Sequence, residues 1–391
     1  MRDPAIRAAA LTATRSWTVS GDAGPPAEPF ERRLAGSTQY ERPIGGRDVV
    51  YLDLTAPGAP APMMLPPITW QLDGQPVADA IGQLTFPLDL HRLSPGTHTM
   101  AVRVGDETRT WTVDNTPPTV AYTLSPTVAS IATDAGSGTP HVFMRDEFTM
   151  QLDPADDQPG YVVAEFRLNG DGWHHYYGWP DAPPGTPFRF TPRGTNIKEL
   201  IYGSLSAEGL SPQPWEPREP GWGSHRIEYR AIDAAGNIGD ARDFRVTIMP
   251  GPECARTVTG QHAGDLRVDS GVTCVIGATV TGSIAVAAGA SLVATDARIG
   301  GGITAARAAD VELVATTVAG DVRIEGTVGR VVLFGATVTG ATTVSGGGST
   351  PARLIGSTFG TLTCAGNGEA PVNGGTPNRL PGGATGQCAG L

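Results

Sequence analysis

The sequence predicts an all-β chain that closes in a short parallel β-helix. Two features of residues 264 to 364 predict the helix. The first is a period: glycines recur at Gly264, Gly282, Gly301, Gly320, Gly340 and Gly360, in steps of 18, 19, 19, 20 and 20 residues. The second is an apolar ladder locked to that period. Two residues after each glycine stand Leu266, Ile284, Ile303, Val322, Thr342 and Leu362; four residues after stand Val268, Val286, Ala305, Ile324, Val344 and Cys364. This alternation has period two, so each segment reads as a short half-buried strand. Composition is the third observation. The 52 glycines, 34 prolines and low charged fraction of 17% suit a turn-rich β chain better than a helical one.

Two further ladders complete each coil: Val275, Ala294, Leu313, Leu333 and Leu354, then Val280, Ile299, Val318, Val338 and Phe359. Just before the last of these stand Thr279, Arg298, Thr317, Thr337 and Thr358, expected to point outward. An amphipathic helix would need an apolar period near 3.6, which the spacing does not supply. One coil cannot bury its own face, but stacked coils bury a continuous core. The period predicts about five coils, a rod of roughly 25 Å at ~4.8 Å per stacked strand.

Four cysteines flank the run, Cys254 and Cys274 at its start and Cys364 and Cys388 at its end. Four cysteines allow three pairings. Pairing of sequence neighbours is the simplest, and would staple both ends of the solenoid, where strand edges are otherwise open. A zinc site competes, but the close Cys pairs it favours are absent. Disulfides imply an oxidising, extracellular location. Met1-Arg2-Asp3-Pro4 nevertheless leads into no signal peptide. The two expectations agree if Met1 is not the natural start and the chain is the C-terminal part of a longer secreted protein.

The chain has 391 residues, net charge −11 and pI near 5.1. That balance argues against nucleic acid and anionic membranes as partners. No apolar stretch is long enough to span a membrane. Lys198 is the single lysine among 28 basic residues, as a GC-rich genome would give.

Taken in order, residues 1–45 read as a helix over Asp3 to Thr14 and a Gly/Pro-rich linker from Gly21 to Pro29, the remnant of an upstream domain. Residues 46–118 read as an immunoglobulin-like sandwich. Its strands are Asp48 to Leu54, Ile68 to Leu72 ending at the turn Asp73-Gly74, and a hairpin of His98 to Val104 with Thr108 to Val113. Ile68, Trp70 and Leu72 share a face, which makes Trp70 a core residue. Asp114-Asn115-Thr116-Pro117-Pro118 ends this module, since two prolines cannot continue a ladder. Residues 119–250 read as a second sandwich with strands Phe148 to Leu152, Tyr161 to Leu168, Arg226 to Ile232 and Asp243 to Ile248. Asn169-Gly170-Asp171-Gly172 is its hairpin turn, and Pro180 to Gly223 a long proline-rich insertion. Residues 251–391 are the β-helix.

Tyr229-Arg230-Ala231-Ile232-Asp233-Ala234-Ala235-Gly236-Asn237 resembles the late-strand motif of bacterial Ig-like domains in secreted multi-domain proteins. Trp111 to Pro118 resembles the junction between such domains. The tail from Cys364-Ala365-Gly366-Asn367 to Gly386-Gln387-Cys388 resembles the closing segment of β-helical modules at the C-termini of secreted actinobacterial hydrolases. The likeness covers most of residues 46 to 391. It implies the architecture above and an accessory region beside a catalytic domain of the same polypeptide; these modules accompany many enzymes, so it implies no reaction.

The densest candidate chemistry is Trp173-His174-His175-Tyr176-Tyr177-Gly178-Trp179, with Trp215 and Trp222 further along the insertion. Clustered loop aromatics can stack on sugar rings, so Trp173, His175, Tyr177, Trp179, Trp215 and Trp222 form a candidate polysaccharide platform. The same residues could instead pack the insertion onto the sandwich. On a strand, His174 and Tyr176 would share one face and Trp173, His175 and Tyr177 the other. Adjacent histidines point apart and chelate a metal poorly; His141 and His225 are the residues that would have to join them. Asp153, Asp156 and Asp157 form a loop of carboxylates that suits calcium, with Asp114 and Asp233 as weaker candidates. Asp is equally at home in ordinary turns.

No HExxH, GxSxG or P-loop is present, and no catalytic residue is assigned. The acids of the β-helix, Asp265, Asp310, Glu312, Asp321 and Glu325, read as a solvated surface rather than a cleft. Threonine in the outward row is a good strand residue, and Arg298 interrupts any ice-binding ladder. The function expected is a non-catalytic accessory region of a secreted hydrolase: spacer, stabiliser or polysaccharide-targeting module, with calcium as the one cofactor weighed. A cell-surface adhesion stalk is the first alternative. The second is a hydrolase with its site near the insertion.

Overall fold

A computed structural model describes residues 67–78, 81–82, 93–104, 107–125, 127–132, 139–146, 148–158, 162–170, 172–176, 188–190 and 222–391. The expected helix over Asp3 to Thr14, the linker after it and the strand Asp48 to Leu54 lie outside these residues. All the regular elements described are strands, as the sequence predicts.

The first module shows β1 (Ile68–Leu72), β2 (Gln75–Pro76), β3 (Thr97–Val104) and β4 (Glu107–Asp114), an antiparallel sheet in the order β2-β1-β3-β4. Asp73 and Gly74 close the β1–β2 hairpin with φ of 50° and 75°. Positive φ at both central residues is the tight-turn geometry that matches strand twist. Trp70 is fully buried, as its alternation with Ile68 requires.

The second module runs through β5 (Thr119–Ser125), β6 (Ala129–Ala132), β7 (Pro140–Arg145), β8 (Phe148–Ala155), β9 (Val163–Leu168), β10 (His174–Tyr176), β11 (Phe188–Phe190), β12 (Gly223–Ile232) and β13 (Arg242–Met249). A six-stranded sheet, β10-β9-β12-β13-β7-β6, faces a three-stranded one, β11-β8-β5. Met150 and Leu152 from β8, Phe166 and Leu168 from β9, Ile227 from β12 and Phe244 from β13 fill the space between them. Tyr122 stacks on Phe244 at 4.7 Å. Sequence reasoning finds the central strands and misses β5, β6, β7 and β11, the last of which lies in the insertion expected to be irregular and pairs with β8. β7, Pro-His-Val-Phe-Met-Arg, is buried almost throughout, so it carries no alternation to detect.

From Arg256 the chain coils as a parallel β-solenoid. The three ladders pair in the expected register. Leu266 stacks on Ile284, then Ile303, Val322, Thr342 and Leu362. Val275 continues through Ala294 and Leu313 to Leu333 and Leu354, and Val280 through Ile299 to Phe359. The rod is longer than the period implies. One row holds seven strands, from Leu266–Val268 to Ala384–Gly386, and its last strand follows Gly382, which continues the glycine column with a hydrogen bond to Gly360 O at 2.9 Å; Arg256–Val258 and Gln261–His262 begin the other two rows. Cys254 pairs with Cys274 and Cys364 with Cys388.

From Gly282 onward the repeating glycines serve close approach rather than turning, whereas Gly264 has a φ of 79° and open space beside it. A Cβ at Gly301 would lie 2.8 Å from the Gly282 carbonyl carbon, and one at Gly320 would lie 2.9 Å from that of Gly301. The column is hydrogen-bonded, Gly301 N to Gly282 O and Gly320 N to Gly301 O, each at 2.9 Å.

The solenoid's third face does not meet water. Val314, Val332, Phe334 and Ile355 point out of the coils and are buried against Phe143 on β7 and Met249 on β13, with Val128, Ala129 and Ile131 alongside. Glu312 lies on this face. The sequence places it on a solvated surface; it is instead 1% exposed, because the second sandwich covers it. Arg145 Nη1 stands 2.7 Å from its Oε2, an ion-pair contact off hydrogen-bond geometry, and Arg330 Nε approaches the other oxygen at 3.6 Å. His141 on β7 reaches Thr376 of the solenoid at 2.7 Å and Thr247 of β13 at 2.8 Å.

Candidate functional site

Of the aromatic candidates, Trp173, His175 and Trp222 lie among the described residues. Tyr177, Trp179 and Trp215 lie outside the described residues. His175 sits on β10 opposite Glu165 in register. Trp173, just before β10, is half-buried. Its ring carries the guanidinium of Arg230 at 4.0 Å and that of Arg167 at 4.8 Å. Both arginines also pair with carboxylates of the same sheet, Arg230 with Glu165 and Arg167 with Glu228. Trp173 therefore completes a cation–π stack on the sheet rather than a bare platform. Trp222, at 37% exposure, precedes β12. Of the histidines that a metal would need, His141 is locked into the sandwich–solenoid interface, and His225 Nδ1 bonds Asn169.

The carboxylates converge instead, at the junction of the first two modules. β4 ends at Asp114. Thr116 N donates to its Oδ1 at 2.9 Å, folding the chain into the turn that Pro117 and Pro118 then fix. β8 ends at Ala155 and hands over Asp156 and Asp157. Gln158 N approaches Asp156 Oδ2 at 3.4 Å, and Gln158 Nε2 donates to Thr97 Oγ1 of β3 at 2.7 Å, tying this loop to the first module. β12 ends at Ile232, where Asn237 donates from its backbone and side-chain nitrogens to the two oxygens of Asp233, both at 2.8 Å. The Asn237 side chain also donates to Asp114 O at 3.0 Å. Asp114 to Pro118 and Tyr229 to Asn237 thus form facing sides of one junction.

One carboxylate oxygen each from Asp114, Asp156 and Asp157 lies within 4.8 Å of the others. Asp114 is 1% exposed; Asp156 is half-buried and Asp157 exposed. Asp114 Oδ2 and Asp156 Oδ1 are buried without a hydrogen-bond partner. Burial pushes Asp114 up to about 6, against the Thr116 amide bond, and the charges of Asp233, Asp156 and Asp157 add to the shift. Asp233 and Asp156 are also raised, mainly by burial. Hydrogen bonds from Thr116, Gln158 and Asn237 oppose the shifts. Two carboxylates ~5 Å apart repel by roughly 3 kcal/mol at an effective dielectric near 20, and a buried acceptor left unpaired costs about 1–3 kcal/mol more.

The loop expected to bind calcium is therefore divided. Asp156 and Asp157 join the cluster. Asp153 does not: it is exposed and accepts from Gln151 Nε2 at 2.7 Å. Asp114 takes the third place, and Asp233 flanks it. Each of the two invites a separate reading in sequence, and only the pairing of β5 with β8 brings the first of them to Asp156.

No family model matches the chain, and no curated protein matches it. Among solved structures, one described as "Structures of Clostridium thermocellum CbhA fibronectin(III)-like modules" is similar at 11% identity. The match covers 49% of this chain and 83% of that one, with a TM-score of 0.22. A likeness at that score carries no argument about fold or function.

Proposed function

We propose that the chain is a non-catalytic accessory region of a secreted hydrolase, a spacer and stabiliser joined to a catalytic domain of the same polypeptide. The observation that carries this reading is the lateral fusion of the second sandwich to the solenoid. An apolar seam, a buried histidine bridge and a buried ion-pair network hold one face of the solenoid against β7 and β13. Several described groups that could do acid–base work are committed internally: His141 to two threonines, Glu165 and Glu228 to arginines, Glu312 to Arg145. Two disulfides staple the solenoid's ends, which suits an oxidising compartment. Polysaccharide targeting remains part of the proposal through Trp222 and the insertion around it.

The test is to incubate the purified full chain with a panel of polysaccharides and follow both reducing-end release and co-sedimentation. No release is expected. Turnover by the wild type that disappears in the double variant His174→Ala/His175→Ala would overturn the reading in favour of an enzyme. Co-sedimentation with one polymer would add targeting to spacing.

A further inference from the structure

We propose that Asp114, Asp156 and Asp157 bind one calcium ion, which locks the sheet of the first module onto the second sandwich. Three features carry this. The donors come from both sides of a module boundary: Asp114 closes β4, while Asp156 and Asp157 follow β8. Their oxygens lie within 4.8 Å of one another, inside the ~5 Å that separates oxygens on opposite sides of a calcium ion. Two of the carboxylates have an oxygen that is buried and unpartnered, on Asp114 and on Asp156, and the Asp114 side chain is almost fully buried. Native proteins seldom leave such atoms without a partner, and a cation supplies one to both at once.

The chemistry selects the ion. The donor set is all carboxylate oxygen, with no histidine or cysteine, so a hard cation is favoured over zinc or copper. The donors sit at strand ends and in a loop, and calcium tolerates irregular, water-completed shells better than magnesium does. Asp157 is exposed, which leaves a side open for water ligands. Asp233 has both oxygens held by Asn237, so it contributes charge from outside the shell and keeps Asn237 on the Asp114 carbonyl.

Calorimetric titration of CaCl₂ into the chelator-treated full chain at pH 7.5 tests this. One calcium per chain is expected, with a Kd on the order of 10⁻⁴ M or tighter and at least tenfold weaker binding of magnesium. Asp156→Asn and Asp157→Asn, both at exposed or half-exposed positions, are expected to weaken binding at least tenfold while circular dichroism stays unchanged. Calcium is also expected to protect the Asn115–Pro118 link from proteolysis in the wild type and not in Asp156→Asn. No saturable binding at millimolar calcium would overturn the site, as would affinity unchanged in both variants. The outcome is independent of the accessory reading: a chain that turns over polysaccharide yet binds calcium loses that reading and keeps this site.

Discussion

Gly320 and His141 show how single residues act here. A side chain at Gly320 has nowhere to go, because the neighbouring coil's backbone is already 2.9 Å from where its Cβ would stand. Gly320→Ala is therefore expected to destabilise by ~1–3 kcal/mol, the range for overpacking, read as a lowered melting temperature. His141 is held neutral: burial brings it down to about 3, and nearby Arg245 adds to the shift. The unfolded chain binds that proton near pH 6.5, so between pH 6.5 and 3 the unfolded state holds more protons. Stability from this group is complete above pH 6.5 and falls as pH drops, by at most ~1.4 kcal/mol per unit. Urea midpoints measured at pH 7 and pH 4.5 should show a smaller drop in His141→Gln than in the wild type; equal drops would show that His141 does not titrate this way.

At the scale of elements, the solenoid is stapled where it would fray. Its interior coils are hydrogen-bonded above and below, whereas its end coils have one neighbour. The disulfides join residues 20 and 24 apart in sequence, with Cα atoms 5.7 and 5.3 Å apart. Closing loops of that length contributes roughly 3 kcal/mol each in the chain-entropy view. The double variant Cys364→Ser/Cys388→Ser is expected to lower solenoid stability by about that amount in denaturant melts. Hydrogen exchange should quicken first in the last coils, around Thr361 to Gly386, and not in the coils around Leu313.

At the scale of the molecule, the second sandwich and the solenoid share a core. Phe334 packs within 5.1 Å of both Phe143 and His141. Phe334→Ala removes that bridge and is expected to cost ~3–5 kcal/mol. Calorimetry is the stronger check: the wild type should unfold its sandwich and solenoid in one transition, and Phe334→Ala should separate them into two. Two transitions in the wild type would show that the seam does not couple the modules. A coupled pair supports the role of a rigid spacer, since a hinge at this seam would defeat it.

The sequence by itself determines the solenoid and its register. Every ladder residue from Leu266 to Phe359 stacks where the period puts it, because a parallel coil repeats the same local burial at each turn and so writes itself into the chain. It also determines Trp70 as core and the Asp73-Gly74 turn, both set by local geometry, and makes neighbour pairing the simplest of three for the cysteines. What only the tertiary structure decides is what non-local packing decides. Val314, Phe334 and Ile355 face outward by strand alternation and are buried all the same, because another module covers them. Glu312 looks like a solvated acid and is an interface charge for the same reason. Asp114 reads as separate from the Asp156-Asp157 loop until the chain folds them together. Such contacts join residues far apart along the chain, and no period marks them.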